Sequence, residues 1–126
     1  MLKNILLVGI GGFAGSILRY LTYLLIDKKI STAYPLSTFT VNIIGSLILG
    51  ILMGLLLKTT MQNDNLRLLV AVGFCGSYTT FSTFAFENYN LISGKLPVIA
   101  ITYILASLIF GILAVLTGFW LSKNLF

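Results

Sequence analysis

Four apolar stretches divide the chain, at residues 4–26, 36–57, 66–92 and 97–121, and polar connectors at 27–35, 58–65 and 93–96 separate them. Each stretch reaches the roughly 20 residues that a helix needs to cross about 30 Å of hydrocarbon. The connectors are too short to build a soluble unit, so the pattern predicts an all-α membrane protein with one four-helix transmembrane domain over residues 1–126. The first stretch has features of a secretory leader, with Lys3 ahead of an apolar run and Ala14, Gly15 and Ser16 resembling a cleavage site. The run continues to Ile26, longer than a leader's core, which predicts a retained span.

Within the spans, polar and small residues keep helical spacing. Thr38, Asn42, Ser46, Gly50 and Gly54 follow one another at i, i+4 on the second span. Gly11, Gly15, Arg19 and Tyr23 do so on the first, and Tyr103, Ser107 and Gly111 on the fourth. Such faces suit water or close helix packing. The glycine pairs Gly11/Gly15 and Gly50/Gly54, with Gly111 and Gly118 a heptad apart, serve contact between subunits or contact within one. A lone Ser or Thr in a membrane helix bonds its own backbone. Asn42 is different, because its amide needs another helix, water or a passing species.

The third span carries Gly73 to Phe84, reading Gly-Phe-Cys-Gly-Ser-Tyr-Thr-Thr-Phe-Ser-Thr-Phe. Two glycines followed by hydroxyl and β-branched residues are poor helix formers, which predicts a helix broken near its centre or a kink that repacks on its neighbours. Phe81 and Phe84 share a face at i, i+3, and aromatic ring edges carry positive potential.

Arg19 and Glu87 are the ionisable residues deep in the spans, where a charge costs about 2.5–3.5 kcal/mol on insertion scales. Counted inward, Arg19, Asn42, Glu87 and Tyr103 lie six or seven residues deep, roughly 10 Å. An ion pair between Arg19 and Glu87, or a wet vestibule in which Arg19 attracts anions, satisfies both. The remaining basic residues fall at span ends. Lys3, Lys58, Arg67 and Lys123 lie on one side, Lys28, Lys29 and Lys95 on the other, so the positive-inside rule gives little instruction about orientation.

Composition fits this reading: 58% of the 126 residues are hydrophobic, 9% are charged and the formal net charge is +5. Lysines scattered at span ends do not form a nucleic-acid face. No histidine and a single cysteine, Cys75, exclude imidazole catalysis, zinc sites and disulfide frameworks. With no nucleophile–base pair, no paired carboxylates and no phosphate loop, an enzyme is not expected and transport or conduction is.

Residues 11–20 (Gly-Gly-Phe-Ala-Gly-Ser-Ile-Leu-Arg-Tyr), 38–46 (Thr-Phe-Thr-Val-Asn-Ile-Ile-Gly-Ser) and 73–84 resemble the signature stretches of the Fluc (CrcB) fluoride channels. The resemblance implies an antiparallel, dual-topology homodimer in a bacterial inner membrane. Two pathways would export fluoride that entered the cell as the neutral acid, relieving its toxicity. It further implies a fluoride pathway of Asn42, Phe81, Phe84, Ser82, Thr83, Tyr103, Ser107 and Thr38, with Arg19 and Glu87 as vestibule residues. It also implies a structural sodium ion held by the backbone carbonyls of Gly76 and Thr79. A small multidrug-type dual-topology transporter is the main alternative, but its deep first-span carboxylate is absent here. A non-transporting accessory subunit is a third, and it leaves Asn42 and the hydroxyl run unexplained.

Overall fold

The structure, a computed structural model, describes residues 1–58 and 64–125, so most of the connector expected at 58–65 lies outside the described residues. Every regular element among the described residues is helical. In chain order they are α1 (Leu2–Lys29), α2 (Leu36–Lys58), α3 (Asp64–Leu66), a wider π-helical segment (Arg67–Cys75), α4 (Gly76–Tyr78), α5 (Phe81–Ser93) and α6 (Pro97–Leu125). Four helical stretches are long and apolar enough to span a membrane: Leu2–Lys29, Leu36–Leu57, Asp64–Ser93 and Pro97–Asn124. The chain is thus a multi-pass membrane protein. Its first and fourth helices overrun the apolar stretches that announce them, because backbone hydrogen bonding continues past the lipid boundary. Lys28 and Lys29 then fall in the last turn of α1 and Lys123 in that of α6, where they complement the negative end of the helix.

The glycine faces lie inside the subunit. A Cβ on Gly118 of α6 would stand 2.8 Å from the backbone nitrogen of Ile51 on α2, and one on Gly50 3.0 Å from the Cα of Val115 on α6. Those contacts let α2 and α6 run backbone to backbone along most of their length, the most extensive helix pairing in the fold. On the other side, a Cβ on Gly11 of α1 would lie 2.9 Å from the nitrogen of Phe74, and one on Gly73 would lie 2.7 Å from the carbonyl oxygen of Val8. The first span therefore packs directly on the π-helical segment. Of the two uses that the spacing left open for these glycines, packing within one subunit is what the fold shows. Gly111 is not part of it, since a Cβ there would meet only Ser46 Oγ, at 3.9 Å.

Where α5 meets α6, Leu91, Ala100 and Tyr103 are buried together under Tyr34, Phe39, Phe84 and Ile99. The turn between them is tight. The N–H of Lys95 donates to Ile92 O (3.1 Å) and that of Leu96 to Leu91 O (2.8 Å), a Schellman closure with Lys95 at φ 61°.

Gly118→Val should lower the thermal stability of the detergent-solubilised protein by about 1–3 kcal/mol, the usual cost of overpacking. Gly111→Ala, at a position with room, should leave the unfolding midpoint within error of the parent; equal losses at both positions would show that the α2–α6 approach is looser than described.

Candidate functional site

Helical geometry stops at two residues of the third span. Thr79 (φ −80°, ψ 162°) and Thr80 (φ −150°, ψ 124°) are extended between α4 and α5. In a continuous helix the Thr80 N–H would close on Gly76 O, and the Thr83 N–H on Thr79 O. Both donors go elsewhere. Thr80 N–H donates to Asn42 Oδ1 (2.8 Å), and Thr83 N–H to Thr80 Oγ1 (3.3 Å), an N-cap for α5. Asn42 completes a two-point pairing by donating from Nδ2 to Thr80 O (3.1 Å). One side-chain amide thus satisfies both backbone groups of Thr80, as a neighbouring strand would, and keeps one N–H to spare. On the opposite flank, Thr79 N–H (3.0 Å) and Thr79 Oγ1 (2.8 Å) both donate to Cys75 O, ending α4. Arg19 reaches from α1 to donate from Nη1 to Thr79 O (3.3 Å).

A cavity of about 380 Å³ opens at this point, lined among others by Asn42, Gly76, Thr79, Thr80, Phe81 and Phe84, with Ser46, Ser107 and Gly111 across it. Phe81 is 80% exposed, with its ring centroid 6.0 Å from that of Phe84. Phe84 leans on Tyr103 at 5.0 Å. The Ser107 hydroxyl is buried with no hydrogen-bond partner among the described residues.

One helical turn from Asn42, a second cluster forms. Thr38 Oγ1 donates to Glu87 Oε1 (2.6 Å) and Tyr103 OH to Glu87 Oε2 (2.8 Å), while Tyr23 OH and Thr38 Oγ1 are 2.7 Å apart. Thr38 and Tyr103 are both 0% exposed, so the two hydroxyls that hold the carboxylate are fixed by packing. Tyr34, in the connector, stacks its ring edge-on against Tyr103 (5.3 Å, 73°). Burial raises the pKa of the Tyr34 hydroxyl above that of an ordinary phenol.

The residues assigned to one depth from the sequence divide by their bonds: Arg19 and Asn42 serve the break, whereas Glu87 and Tyr103 belong to the second cluster. Arg19 and Glu87 each have partners of their own among the described residues, a backbone carbonyl for one and two hydroxyls for the other. Asn42, Phe81, Phe84, Ser107, Gly76 and Thr79 come together at the first cavity, and Thr38 and Tyr103 adjoin it through Phe84 and Glu87. Ser82 and Thr83 do not line that cavity. Their hydroxyls gather on Thr80 Oγ1, at 3.4 and 3.0 Å. Sequence reasoning places Tyr23 on the polar face of the first span and Thr80 in the irregular run of the third without counting either among the site residues; for Tyr23 the i, i+4 spacing is the signal.

Asn42→Ala strands both backbone groups of Thr80, at about 1–3 kcal/mol each. A drop in thermal stability of roughly 2 kcal/mol or more is expected, against less than about 1 kcal/mol for Ser107→Ala, whose hydroxyl has no partner among the described residues. Equal stabilities of the two variants in the same detergent would contradict the Thr80 pairing.

Comparison with known proteins bears on what this site belongs to. The chain is 44% identical over 123 residues to a fluoride-specific ion channel FluC of Azobacteroides pseudotrichonymphae, covering 98% of each protein. It is 40% identical over 122 residues to a fluoride-specific ion channel FluC of Phocaeicola vulgatus, covering 97% of this chain and all of the relative. A FluC of Chlorobaculum tepidum shares 42% over 123 residues, 98% of this chain and 97% of its own. Residues 6–119 match the family model described as CrcB-like protein, Camphor Resistance (CrcB), and with full-length relatives at this identity the chain belongs to the CrcB family.

Proposed function

We propose that the protein is a fluoride-selective channel of the inner membrane that lets cytoplasmic fluoride leave passively, working as an antiparallel homodimer. The observation that carries this reading is a file of neutral donors with no basic side chain in it. Its members are the spare N–H of Asn42, the Ser107 hydroxyl, which has no partner among the described residues, and the ring edges of Phe81 and Phe84; the Tyr103 and Thr38 hydroxyls continue the line with their protons given to Glu87. An anion in such a file exchanges hydration for O–H, N–H and ring-edge contacts, and no full positive charge holds it too tightly to leave. Fluoride, the smallest and strongest acceptor among the halides, gains most from hydroxyl and amide donors, and chloride gains least.

Glu87 fits the same account. Its carboxylate accepts from Thr38 and Tyr103, and an anion coming from Phe84 takes up those two protons only by displacing it. Ser82 and Thr83 act one step away, through Thr80, by capping α5 at the break. Arg19 contributes as a donor to the broken backbone.

The dimer is needed because Phe81 and the first cavity are open on the outside of a single subunit. Orientation is left free by the nearly even lysine and arginine balance, which suits subunits inserted both ways. A structural sodium ion also fits the chemistry of the break. The Gly76 and Thr79 carbonyls have lost their helical donors to Asn42 and to Thr80 Oγ1, and both residues line the open cavity. When bound, a hard monovalent cation would neutralise these carbonyl dipoles and tie the two subunits at their breaks. Thr79 O already accepts from Arg19, and its second lone pair remains for the ion.

Purified protein in liposomes should release fluoride and retain chloride. Phe81→Ile with Phe84→Ile keeps bulk and removes the ring edges, and should reduce fluoride efflux at least tenfold while the dimer persists on size exclusion. Undiminished efflux from the double variant would leave these rings as packing. In cells, a cysteine placed at the C-terminus should be labelled by an impermeant thiol reagent on one fraction of molecules only, with the rest labelled after permeabilisation; complete labelling from one side would contradict dual insertion.

A further inference from the structure

The connector ahead of α2 is short and closely bonded around Tyr34. Thr32 Oγ1 accepts from the Tyr34 N–H (3.2 Å), and the Leu36 N–H donates to Tyr34 O (2.7 Å), a closure over three residues. Pro35 follows, with its φ fixed by its own ring and the residue before it confined to extended backbone. Its carbonyl accepts from the Phe39 N–H (3.0 Å) as α2 begins. The backbone of Tyr34 is thus held on both sides, and its partly buried side chain packs over Leu91, Ala100 and Tyr103. There the ring bridges two helices. It lies 6.1 Å from Phe39 of α2, at 74°, and 5.3 Å from Tyr103 of α6, at 73°, both edge to face. Phe39 rests in turn on Phe110 of α6 at 6.2 Å, so the wedge has a firm back.

Tyr103 therefore has three supports: the Tyr34 ring, the Phe84 ring at 5.0 Å, and Glu87 Oε2, which its hydroxyl reaches at 2.8 Å. Two of them belong to the path. Phe84 lines the first cavity, and Glu87 is the acceptor that an arriving anion displaces. Tyr34 does not line the first cavity; it lines a second one, of about 250 Å³, between the end of α1, the connector, the start of α2 and Glu87. Of the three supports it is the one that an ion at Phe84 leaves undisturbed. We infer that Tyr34 is a positioning residue for conduction: it clamps the Tyr103 ring from the connector side, so that the phenol stays in place while its hydrogen bond passes from Glu87 to the anion. The inference rests on the channel reading given above. A donor already held in position costs the ion no ordering of that side chain, whereas a phenol free to tilt would follow the carboxylate or turn toward the second cavity. The contacts that hold Tyr103 are ring to ring, so the aromatic ring of Tyr34 carries the effect and its hydroxyl does not.

The test uses the parent protein, Tyr34→Phe and Tyr34→Leu in liposomes, with two readouts: fluoride efflux, and the ¹³Cζ resonance of Tyr103 in ¹³C-tyrosine-labelled protein by solid-state NMR. That resonance is identified by its loss in Tyr103→Phe, and it responds to the hydrogen bond on the phenol. Tyr34→Phe keeps the ring and should match the parent in both readouts. Tyr34→Leu keeps an apolar cover without a ring edge. It should shift or broaden the Tyr103 resonance and lower fluoride efflux roughly two- to tenfold, the rate equivalent of one lost aromatic pair. A fall in unfolding midpoint alone would accompany any loss of packing, so the Tyr103 resonance decides. Efflux from Tyr34→Leu equal to the parent's, reduced efflux with an unmoved Tyr103 resonance, or a Tyr34→Phe protein as impaired as Tyr34→Leu would each overturn the proposal. If Tyr34→Leu is not recovered as a dimer, the parent still decides, because a ring-to-ring ¹³C cross-peak between Tyr34 and Tyr103 must be present and its absence removes the clamp. A parent that releases no fluoride would instead sink the channel reading, while the Tyr103 resonance still reports whether Tyr34 holds the ring.

Discussion

The pairing of one side-chain amide with the backbone of Thr80 is the constraint on which the rest of the structure depends. A peptide group released from a helix inside the bilayer has no water to turn to, and each unmatched donor or acceptor costs several kcal/mol. Asn42 removes that cost at Thr80 by offering a donor and an acceptor at the spacing of a strand edge. Because the Thr80 N–H is engaged there, the Gly76 carbonyl loses its helical donor, and because Thr80 Oγ1 caps the next helix, so does the Thr79 carbonyl, which accepts from Arg19 instead. The extended pair also starts α5 with Phe81 pointing away from the subunit and Phe84 toward Tyr103. Cavity, ring edges and freed carbonyls are consequences of one local departure from helical geometry.

That departure is held from both flanks by ordinary packing. On α1, Gly11 and Gly15 bring the backbone against the π-helical segment, which is what lets Arg19, one turn beyond Gly15, reach Thr79 O. On the other flank, the α2–α6 glycine contacts fix Asn42 and Thr38 relative to Ser107 and Tyr103, since each pair sits on one of these two helices. Small residues therefore act at a distance from the site they support. A larger side chain at Gly118 would disturb the path through the angle between α2 and α6, without touching any residue that lines it.

How much of this was legible depends on the range of the interaction. Span positions follow from hydropathy alone, and the helix faces from i, i+4 spacing, so Thr38, Asn42, Tyr103 and Ser107 stand out without coordinates. The poor helix formers around Gly76 to Thr83 mark an irregular segment, yet which two residues become extended is decided by Asn42, far away in sequence. The glycine faces were ambiguous because packing within a subunit and between subunits ask for the same residues. For Arg19 and Glu87, the deep charges at similar depth, the sequence leaves both an ion pair and a wet vestibule open. Each found shorter-range satisfaction in a freed carbonyl or in two fixed hydroxyls, groups whose availability only the fold reveals.

The central claim is that residues 79 and 80 are held extended by Asn42, and the backbone chemical shifts of those two threonines report on it most directly. In ¹³C- and ¹⁵N-labelled protein reconstituted in lipid and observed by solid-state NMR, Thr79 and Thr80 should both show Cα, Cβ and carbonyl shifts of extended backbone, flanked by helical values at Tyr78 and Ser82. In an Asn42→Ala sample the Thr80 shifts should move or broaden. Helical shifts at both threonines in the parent protein, or shifts at Thr80 that do not respond to Asn42→Ala, would contradict the account.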